Sequence, residues 1–397
     1  MGRRVVIIGA GIVGCATALR LTQEGFEVTV FDPDPPGANT SSGNAGVIST
    51  GGITPNATPG LIRDLPRMAL DPEASGWVRR GDRLAALPWL WRMLRSSRMG
   101  EVRRIAGAMH PLVSQSLDAH RRLAASVGGA DLITVGGWMK VYGSAGDFAS
   151  AALDRELMAE YGVDLRLLDA ADLRRHLPAI DGEALHAAVH QPQAGLVSDP
   201  QALATAYLNG ALDRGARHLR RAVLGAFDDG RHVTVQTVDD EQHFDHLVVC
   251  AGARSARIAA WFGDHVLLLA ERGYHAQFPP ETAGIVPGPI YFASHGLVLS
   301  PMAGGLRMTM GAELARPGAP PDFRRLRGKI RIAQNLAPAL AGHTPHEWMG
   351  ERPSTPDTLP VIRHSRQTRR VVYAFGHGHL GLTMAATTAE LATGLIG

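Results

Sequence analysis

Residues 4–32, RVVIIGAGIVGCATALRLTQEGFEVTVFD, decide the fold. The continuous apolar run at residues 4–8 is typical of a parallel strand that is buried on both faces. Gly9, Gly11 and Gly14 follow it as GxGxxG, and apolar residues at helical spacing come next. A second strand ends in Asp32, eighteen positions after Gly14. This order predicts a Rossmann unit whose turn holds a pyrophosphate and whose Asp32 accepts hydrogen bonds from ribose hydroxyls.

Composition excludes several classes of function. The chain of 397 residues is 45% hydrophobic and 19% charged, which is typical of a globular protein of two or three domains. Its net charge is only +3 and no basic block occurs, so we expect no nucleic-acid partner. Cys15 and Cys250 lie in apolar stretches without a CxxC or Cys/His cluster, which predicts neither disulfides nor a metal site. No apolar run reaches about 18 residues, so we expect a cytoplasmic protein without a membrane span.

The stretch after Asp32 favours FAD over NAD. Residues 33–52, PDPPGANTSSGNAGVISTGG, show no periodicity, whereas an NAD dehydrogenase usually continues with regular strand–helix alternation. The hydroxyls and amides of this stretch can contact a ligand, and its glycines allow the backbone to approach a flat group. These features suit a long cofactor that extends past the Rossmann crevice towards a second domain.

A second GxGxxG lies near the end of the chain, at Gly376, Gly378 and Gly381. It follows a strand-like run at residues 371–375 and precedes a helix-like run at residues 383–396. The two motifs cannot hold the same pyrophosphate. Because no further strand with an acidic residue follows, the residues alone favour the first motif as the nucleotide site.

The middle of the chain departs from the α/β pattern. Residues 82–97 and 101–125 show apolar residues at helical spacing and are each predicted to form an amphipathic helix, and residues 270–314 resemble antiparallel strands. Trp89 and Trp91 suggest either a membrane anchor or a helix that packs on its own domain, and we favour the packed helix. Nucleotide-binding segments therefore alternate with antiparallel and helical insertions.

These segments together resemble the glycine/D-amino-acid oxidase family of FAD-dependent flavoproteins, and most closely its D-amino-acid dehydrogenase branch. ERGYH (271–275), RPSTPDTLPVI (352–362) and GHGHLGLT (376–383) are similar to members close to hydroxyproline dehydrogenase and glyphosate oxidoreductase. The resemblance covers nearly the whole chain. It implies an α/β fold with α+β insertions: a Rossmann-like FAD-binding domain plus a substrate domain with a mixed, largely antiparallel sheet. It further implies FAD-binding segments at residues 1–57, 149–268 and 345–397, and substrate-domain segments at residues 58–148 and 269–344.

The resemblance also implies which residues bind FAD. The second glycine turn would hold the flavin ring, so the two GxGxxG motifs would serve two ends of one cofactor. We expect the FAD to be non-covalent, because neither cysteine lies where relatives attach flavin and the 41–46 loop carries no histidine. The implied contacts are Gly9, Gly11, Ile12, Val13, Gly14, Asp32, Ser41, Asn44, Ala45, Gly46, Val223, Ala251, Gly252, Gly378, His379, Leu380, Gly381, Leu382 and Thr383.

Three residues are candidates for the catalytic site. Arg352 matches the family's carboxylate-binding arginine, although a structural ion pair is the alternative in a chain with 38 arginines and only two lysines, Lys140 and Lys329. Tyr274 would hydrogen-bond the same carboxylate, or else be a core tyrosine. His379 would contact substrate or reduced flavin, or else be structural. His377 and His275 are weaker candidates.

The implied reaction oxidises the C–N bond of a small amino acid, most of all a D-amino acid including the D-proline and hydroxyproline type. Hydride passes to flavin N5, and the imine then hydrolyses to a 2-oxo acid. Electrons would go to a quinone, another carrier or oxygen, with peripheral contact to the inner membrane as one possibility. The alternatives are a glycine or sarcosine oxidase that uses oxygen, and a non-catalytic flavin-binding subunit. Arg363 and Ala312 depart from the family pattern, which weakens any fine assignment of the substrate. The exact substrate and the oligomeric state depend on pocket shape or partners that sequence patterns do not show.

Overall fold

A six-stranded sheet carries the first glycine turn. The computed structural model describes residues 3–60 and 76–397. From edge to edge the strands are β10 (Arg217–Leu219), β2 (Glu27–Phe31), β1 (Arg4–Ile8), β14 (His246–Val249), β21 (Val371–Phe375) and β20 (Val361–His364). All neighbours are parallel except β20 and β21. The predicted strands at residues 4–8 and 371–375 are confirmed with these limits.

Three helices cover one face of this sheet: α1 (Ile12–Gln23), α8 (Pro200–Leu212) and α11 (Gly381–Ile396). Helices α1 and α11 pack against each other, so the two glycine turns lie at the N-termini of neighbouring helices. Small apolar side chains such as Ala18 and Ala385 are fully buried in this layer, which lets the helices approach closely. Helix α11 begins at Gly381, two residues before the predicted start.

A second, larger sheet lies on the other side of the cavity described below, and we call it the roof sheet. Its strands are β19 (His346–Ser354), β15 (Leu269–Gln277), β18 (Gly305–Ala315), β17 (Leu297–Met302), β16 (Ile290–Phe292), β6 (Trp138–Tyr142), β8 (Ala187–Gln191) and β7 (Arg166–Asp169), with β4 (Gly76–Val78) beside β18. The pairs are antiparallel except β16 with β6 and β18 with β4. Helix α10 (Arg324–Leu336) packs on its outer face.

The remaining elements surround the two sheets. Two three-stranded sheets contain β3 (Val47–Ile48), β9 (Gly195–Val197) and β5 (Ile133–Val135), and β11 (Gly225–Asp228), β12 (Val233–Gln236) and β13 (Glu241–Phe244). The other helices are α2 (Arg83–Ser96), α3 (Met99–Ser114), α4 (Ser116–Ala125), α5 (Ala145–Ser150), α6 (Ala152–Glu160), α7 (Ala170–His176) and α9 (Ser255–Trp261). In the ranges 3–60 and 76–397, no helix has the length and apolar character needed to cross a membrane.

The two tryptophans of α2 differ in exposure. Trp89 on α2 is buried and its Nε1–H donates to the Ser354 carbonyl at 3.0 Å, so this side chain packs on its own domain. Trp91 is 58% exposed.

The single helix predicted at residues 101–125 is wrong, because α3 and α4 are separate helices. The Ser116 hydroxyl donates to the Val113 carbonyl at their junction and competes there with helical bonding.

The predicted fold class is confirmed: one parallel Rossmann-like sheet is joined to a mixed, largely antiparallel sheet. Strand pairing departs from the predicted segments in two places. Strands β7 and β8, within residues 149–268, and β19, within 345–397, pair in the roof sheet rather than in the six-stranded sheet. The segment 58–148 includes residues 61–75, which lie outside the described residues. The domain limits therefore stay a proposal.

Candidate active site

A cavity of about 1050 Å³ lies between the six-stranded sheet and the roof sheet. Its walls include the residues that follow the carboxyl ends of β1, β14 and β21, which is where open α/β sheets bind ligands. It is large enough for a dinucleotide and continues beneath the roof sheet, where Arg352 and Lys140 line it.

The first glycine turn has no room for side chains. A Cβ on Gly9, whose φ is +112°, would lie 2.4 Å from the Cys250 carbonyl oxygen. A Cβ on Gly14 would lie 1.9 Å from the Gly9 carbonyl oxygen. Gly9 and Gly11 line the cavity, whereas Gly14 does not and instead keeps α1 close to β1. Gly14 therefore supports the turn from behind and does not itself face the cavity.

The other predicted groups around this turn also lie at the cavity wall. The Ser41 hydroxyl accepts a hydrogen bond from the Ile12 N–H at 3.0 Å, which ties the loop after β2 to the start of α1. Asp32 accepts from the Ala10 N–H at 2.7 Å and from the Asp34 N–H at 3.0 Å. Because each carboxylate oxygen has a second lone pair, Asp32 can still accept from ribose hydroxyls.

The remaining predicted FAD contacts divide into two groups. Most line the cavity. The exception is Gly46, which adopts φ +78° and would place a Cβ 2.4 Å from the Val197 carbonyl oxygen. Gly46 thus makes the turn into β3, and the prediction that it contacts the cofactor is not supported by its position. The residues of this group that line the cavity are Ile12, Val13, Asn44, Ala45, Val223, Ala251 and Gly252.

The second glycine turn also faces the cavity. Gly376 and Gly378 adopt φ of +86° and +54°, a conformation that favours glycine, and a short 3₁₀ turn over Gly378–Leu380 leads into α11. The six residues 378–383 predicted to contact flavin all line the cavity. The N-terminus of α11, a 16-residue helix, therefore presents its free N–H groups and partial positive charge at the cavity wall.

Arg352 lies on β19 and lines the cavity beneath the roof sheet. Its Nη1–H donates to Glu271 Oε1 at 3.2 Å and to the Gly311 carbonyl at 3.3 Å. The Ser354 hydroxyl donates to the other Glu271 oxygen at 2.7 Å. Burial alone raises the pKa of Glu271, but Arg352, His379 and Ser354 outweigh it and hold that pKa below its usual value. Arg352 is thus both an ion-pair partner and a cavity residue whose Nε and Nη2 groups have no hydrogen-bond partner among the described residues.

Gly273 makes room for the Arg352 side chain. A Cβ at this position would lie 2.2 Å from Arg352 Nη2 and 2.4 Å from its Cζ. The guanidinium therefore lies across the β15 backbone where only a glycine permits it. The position of Arg352 depends on its neighbouring strand as much as on its own.

Tyr274, the next residue on β15, is not at the site. Successive strand residues point to opposite faces, so Tyr274 enters the core between the roof sheet and α10. Its hydroxyl donates to Glu313 Oε2 at 2.6 Å and accepts from the Asp322 N–H at 3.3 Å. Burial and the Glu313 carboxylate raise the pKa of Tyr274. Tyr274 is therefore a core tyrosine, and the prediction that it binds the substrate carboxylate is wrong.

His379 faces the cavity near the Arg352–Glu271 pair. Its surface is exposed to the cavity. Desolvation by the surrounding protein lowers the pKa of His379; Glu271 opposes the shift, and Arg352 and Lys140 add to it. The imidazole is therefore neutral at pH 7 and can both donate and accept a hydrogen bond.

The two weaker histidine candidates have structural partners. His377 Nε2 lies 2.9 Å from the Thr388 hydroxyl, and burial lowers its pKa to about 4. His275 stacks on Trp348 with ring centroids 4.7 Å apart, and burial lowers its pKa to about 3. Both rings are neutral, and both stabilise the walls of the cavity.

Sequence reasoning missed three cavity residues on the far strands of the roof sheet: Trp138, Lys140 and Tyr291. Lys140 Nζ lies 2.6 Å from Asp154 Oδ2, and the Trp138 and Tyr291 rings stack at 6.4 Å. One signal was present in the sequence. A chain with 40 basic residues and only two lysines places one of those lysines here, where a compact ammonium differs from a planar guanidinium.

The glycine turn, the acid after β2 and the second turn beneath a roof sheet define a dinucleotide-dependent oxidoreductase. Residues 4–395 match the family model described as DAO, FAD dependent oxidoreductase, and the chain belongs to that family. It is 36% identical over 405 residues to a D-amino-acid oxidase of Bradyrhizobium diazoefficiens, covering 100% of this chain and 95% of the relative. FAD is its cofactor, and it is an FAD-dependent amino-acid oxidoreductase.

Solved structures share the fold at lower identity. A glycine oxidase from Geobacillus kaustophilus superposes with a TM-score of 0.78 at 20% identity, covering 99% of this chain and 95% of that one. An L-proline dehydrogenase from P. horikoshii gives 0.75 at 18% identity, covering 100% and 93%. An L-amino acid deaminase from Proteus vulgaris gives 0.73 at 18% identity, covering 100% and 90%. These likenesses support the architecture and leave the substrate undecided.

Proposed function

We propose that this enzyme oxidises the C–N bond of a small D-amino acid, including the D-proline and hydroxyproline type, to an imine that hydrolyses to the 2-oxo acid. The observation that carries the proposal is Arg352, a cavity-lining guanidinium close to the second glycine turn. The D-configuration rests on the 36% identical D-amino-acid oxidase. When bound, FAD supplies the two-electron acceptor that the C–H bond of the substrate needs.

Arg352 would bind the substrate carboxylate, because its Nε and Nη2 groups present the paired donors that a carboxylate prefers. The buried Glu271 keeps Arg352 from being an isolated charge before substrate enters. His379, neutral and close to this pair, would hydrogen-bond the substrate. Oxidation requires a neutral amine. Because the neutral form is present in solution in equilibrium with the ammonium, we assign no protein base.

The electron acceptor would be a quinone or another carrier, as in a dehydrogenase. A glycine or sarcosine oxidase that uses oxygen is the second candidate, favoured by the likeness to glycine oxidase. Peripheral membrane contact would involve α2, which exposes Leu84, Leu87 and Trp91 at helical spacing beside several arginines. Co-sedimentation with anionic vesicles, lost in Trp91→Ala, tests this contact.

Anaerobic reduction of the bound flavin tests the reaction itself. The FAD-loaded enzyme is mixed with D- and L-amino acids, hydroxyprolines, sarcosine and glycine, and visible absorbance is followed. Bleaching by D-isomers supports the proposal, and bleaching by glycine derivatives alone favours the second candidate. If no amine bleaches the flavin, the proposed function is wrong and the non-catalytic alternative returns. Peroxide yield in air then separates oxidase from dehydrogenase.

A further inference from the structure

A second polar group of residues lines the cavity apart from the Arg352–Glu271 pair. We call Trp138, Lys140 and Tyr291, with Asp154 behind them, the lysine corner. Strands β6 and β16 pair so that Lys140 lies beside Tyr291. This pairing places the three side chains on the cavity face of the roof sheet. The Thr54 hydroxyl donates to Asp154 Oδ1 at 2.5 Å and holds that carboxylate in place.

The lysine corner has hydrogen-bond donors to spare. The Lys140 ammonium carries three N–H groups, and among the described residues its one hydrogen-bond partner is Asp154. The Tyr291 hydroxyl and the Trp138 indole N–H make no hydrogen bond to the described part of the chain. Burial raises the pKa of Tyr291, so its hydroxyl stays protonated and can donate. A group that enters this corner therefore meets donors from the Lys140 ammonium and the Tyr291 hydroxyl.

The lysine corner borders the place where substrate would bind. Lys140, Arg352 and His379 all line the same cavity. The charges of both cations lower the pKa of His379, which agrees with this shared location. If Arg352 holds the α-carboxylate, the side chain of the same amino acid can extend towards Lys140.

The charges decide which side chain fits. Burial alone raises the pKa of Asp154, but Lys140 and Thr54 outweigh it and keep the carboxylate ionised. Lys140 with Asp154 is therefore neutral as a pair, as is Arg352 with Glu271. An amino acid that enters as a zwitterion with an uncharged side chain adds no net charge to this cavity. A side-chain carboxylate would add one uncompensated charge, which is costly away from water.

We infer, on the basis of the proposed function, that the lysine corner is a substrate side-chain subsite for a neutral hydrogen-bond acceptor, namely a carboxamide or hydroxyl oxygen. Lys140 and Tyr291 donate to that oxygen, and the Trp138 ring packs on the adjoining methylene groups. The preferred substrates are then polar and uncharged at the side chain.

The test compares D-glutamine, D-methionine and D-glutamate, which are similar in length but carry an amide, a thioether and a carboxylate. Rates of anaerobic flavin reduction are measured for the wild type, Tyr291→Phe and Lys140→Met/Asp154→Asn. The double variant removes both charges together, so that no unpaired carboxylate stays buried. The FAD spectrum and melting temperature of each variant serve as fold controls.

For the wild type we expect kcat/KM to be higher for D-glutamine than for D-methionine or D-glutamate by about tenfold or more. The double variant should lose that advantage through KM, with D-methionine little changed, and Tyr291→Phe should lose part of it. A wild-type preference for D-glutamate or D-methionine overturns the inference, and so does an equal loss with all three substrates. In each of those cases the flavin is still reduced by amino acids, so the proposed function survives. If no amino acid reduces it, both ideas fall.

Discussion

Replacing Gly273 by alanine tests whether Arg352 binds substrate without altering Arg352 itself. The added Cβ would lie 2.2 Å from Arg352 Nη2, 2.4 Å from Cζ and 2.8 Å from Nε. Nonbonded carbon and nitrogen atoms do not approach so closely, so the guanidinium must move by about 1 Å to restore contact distance. The φ of Gly273 is not in the left-handed region, so alanine adds no backbone strain. The variant therefore acts mainly through the position of Arg352.

The magnitude follows from the hydrogen bonds that are lost. A hydrogen bond to a charged group contributes about 1.5–3 kcal/mol, which corresponds to about tenfold to a hundredfold in kcat/KM. We expect a loss in this range for Gly273→Ala, appearing mainly in KM and equal for all amino-acid substrates. Stopped-flow measurement of anaerobic flavin reduction gives both parameters. The matched control is Gly136→Ala, because a Cβ at Gly136 meets nothing within 4 Å.

If Gly273→Ala keeps kcat/KM within threefold of the wild type, with the same FAD content, Arg352 does not hold the substrate carboxylate. If Gly273→Ala also loses FAD, the roof sheet has moved, and the single variant Arg352→Lys then tests Arg352 with Gly273 unchanged. Lysine keeps the charge but lacks the paired donors, so Arg352→Lys should bind FAD normally and still show a raised KM.

Three further predictions concern the supporting structure. Gly14→Ala places a Cβ 1.9 Å from the Gly9 carbonyl oxygen, so the purified protein should be colourless, and a yellow variant would contradict the packing role of Gly14. Tyr274→Phe removes a hydrogen bond to the buried Glu313, which keeps its ion pair with Arg272, and should cost about 1–3 kcal/mol in the free energy of unfolding while KM stays within twofold; a raised KM would return Tyr274 to the site. His120 is buried, with its pKa lowered from 6.5 to about 4, so the stability it contributes is complete above pH 6.5 and is lost as pH falls towards 4, on the order of 3 kcal/mol. His120→Gln should therefore flatten the pH dependence of the melting temperature relative to the exposed control His265→Gln, and an unchanged slope would refute this assignment.

The central strands were predictable because their sequence carries the signal. Strands β1 and β21 are buried on both faces, so their apolar runs begin and end with the strands. The junction between α3 and α4 was not predictable from apolar spacing, since the spacing continues through it. The break lies at Gln115, whose backbone angles are φ −93° and ψ −2°, and the Ser116 hydroxyl bonds the Val113 carbonyl beside it.

The site was predictable where it lies on short glycine turns and not where it lies on the roof sheet. Both turns contain positions that favour glycine, namely Gly9 and Gly14 in the first and Gly376 and Gly378 in the second, so the turns could be recognised in the sequence. For Gly273 and Tyr274 the question was which face of β15 points to the cavity. The alternation of side chains along a strand allows either face to point to the cavity. Which face does so depends on how β15 pairs with β18 and β19, and the sequence does not show this pairing. Lys140 joins the site through the pairing of β6 with β16, whose residues are about 150 positions apart in the chain.

The six-stranded sheet draws its strands from widely separated parts of the chain, which has a consequence for synthesis on the ribosome. Strands β1 and β2 emerge more than 300 residues before β21, the strand that completes the pairing of β14. Until then β14 presents an unpaired edge, and α1 lacks its packing partner α11. The nucleotide-binding half therefore begins to form first and is completed last, so the nascent protein exposes an unpaired strand edge, which favours aggregation, until β21 has been synthesised.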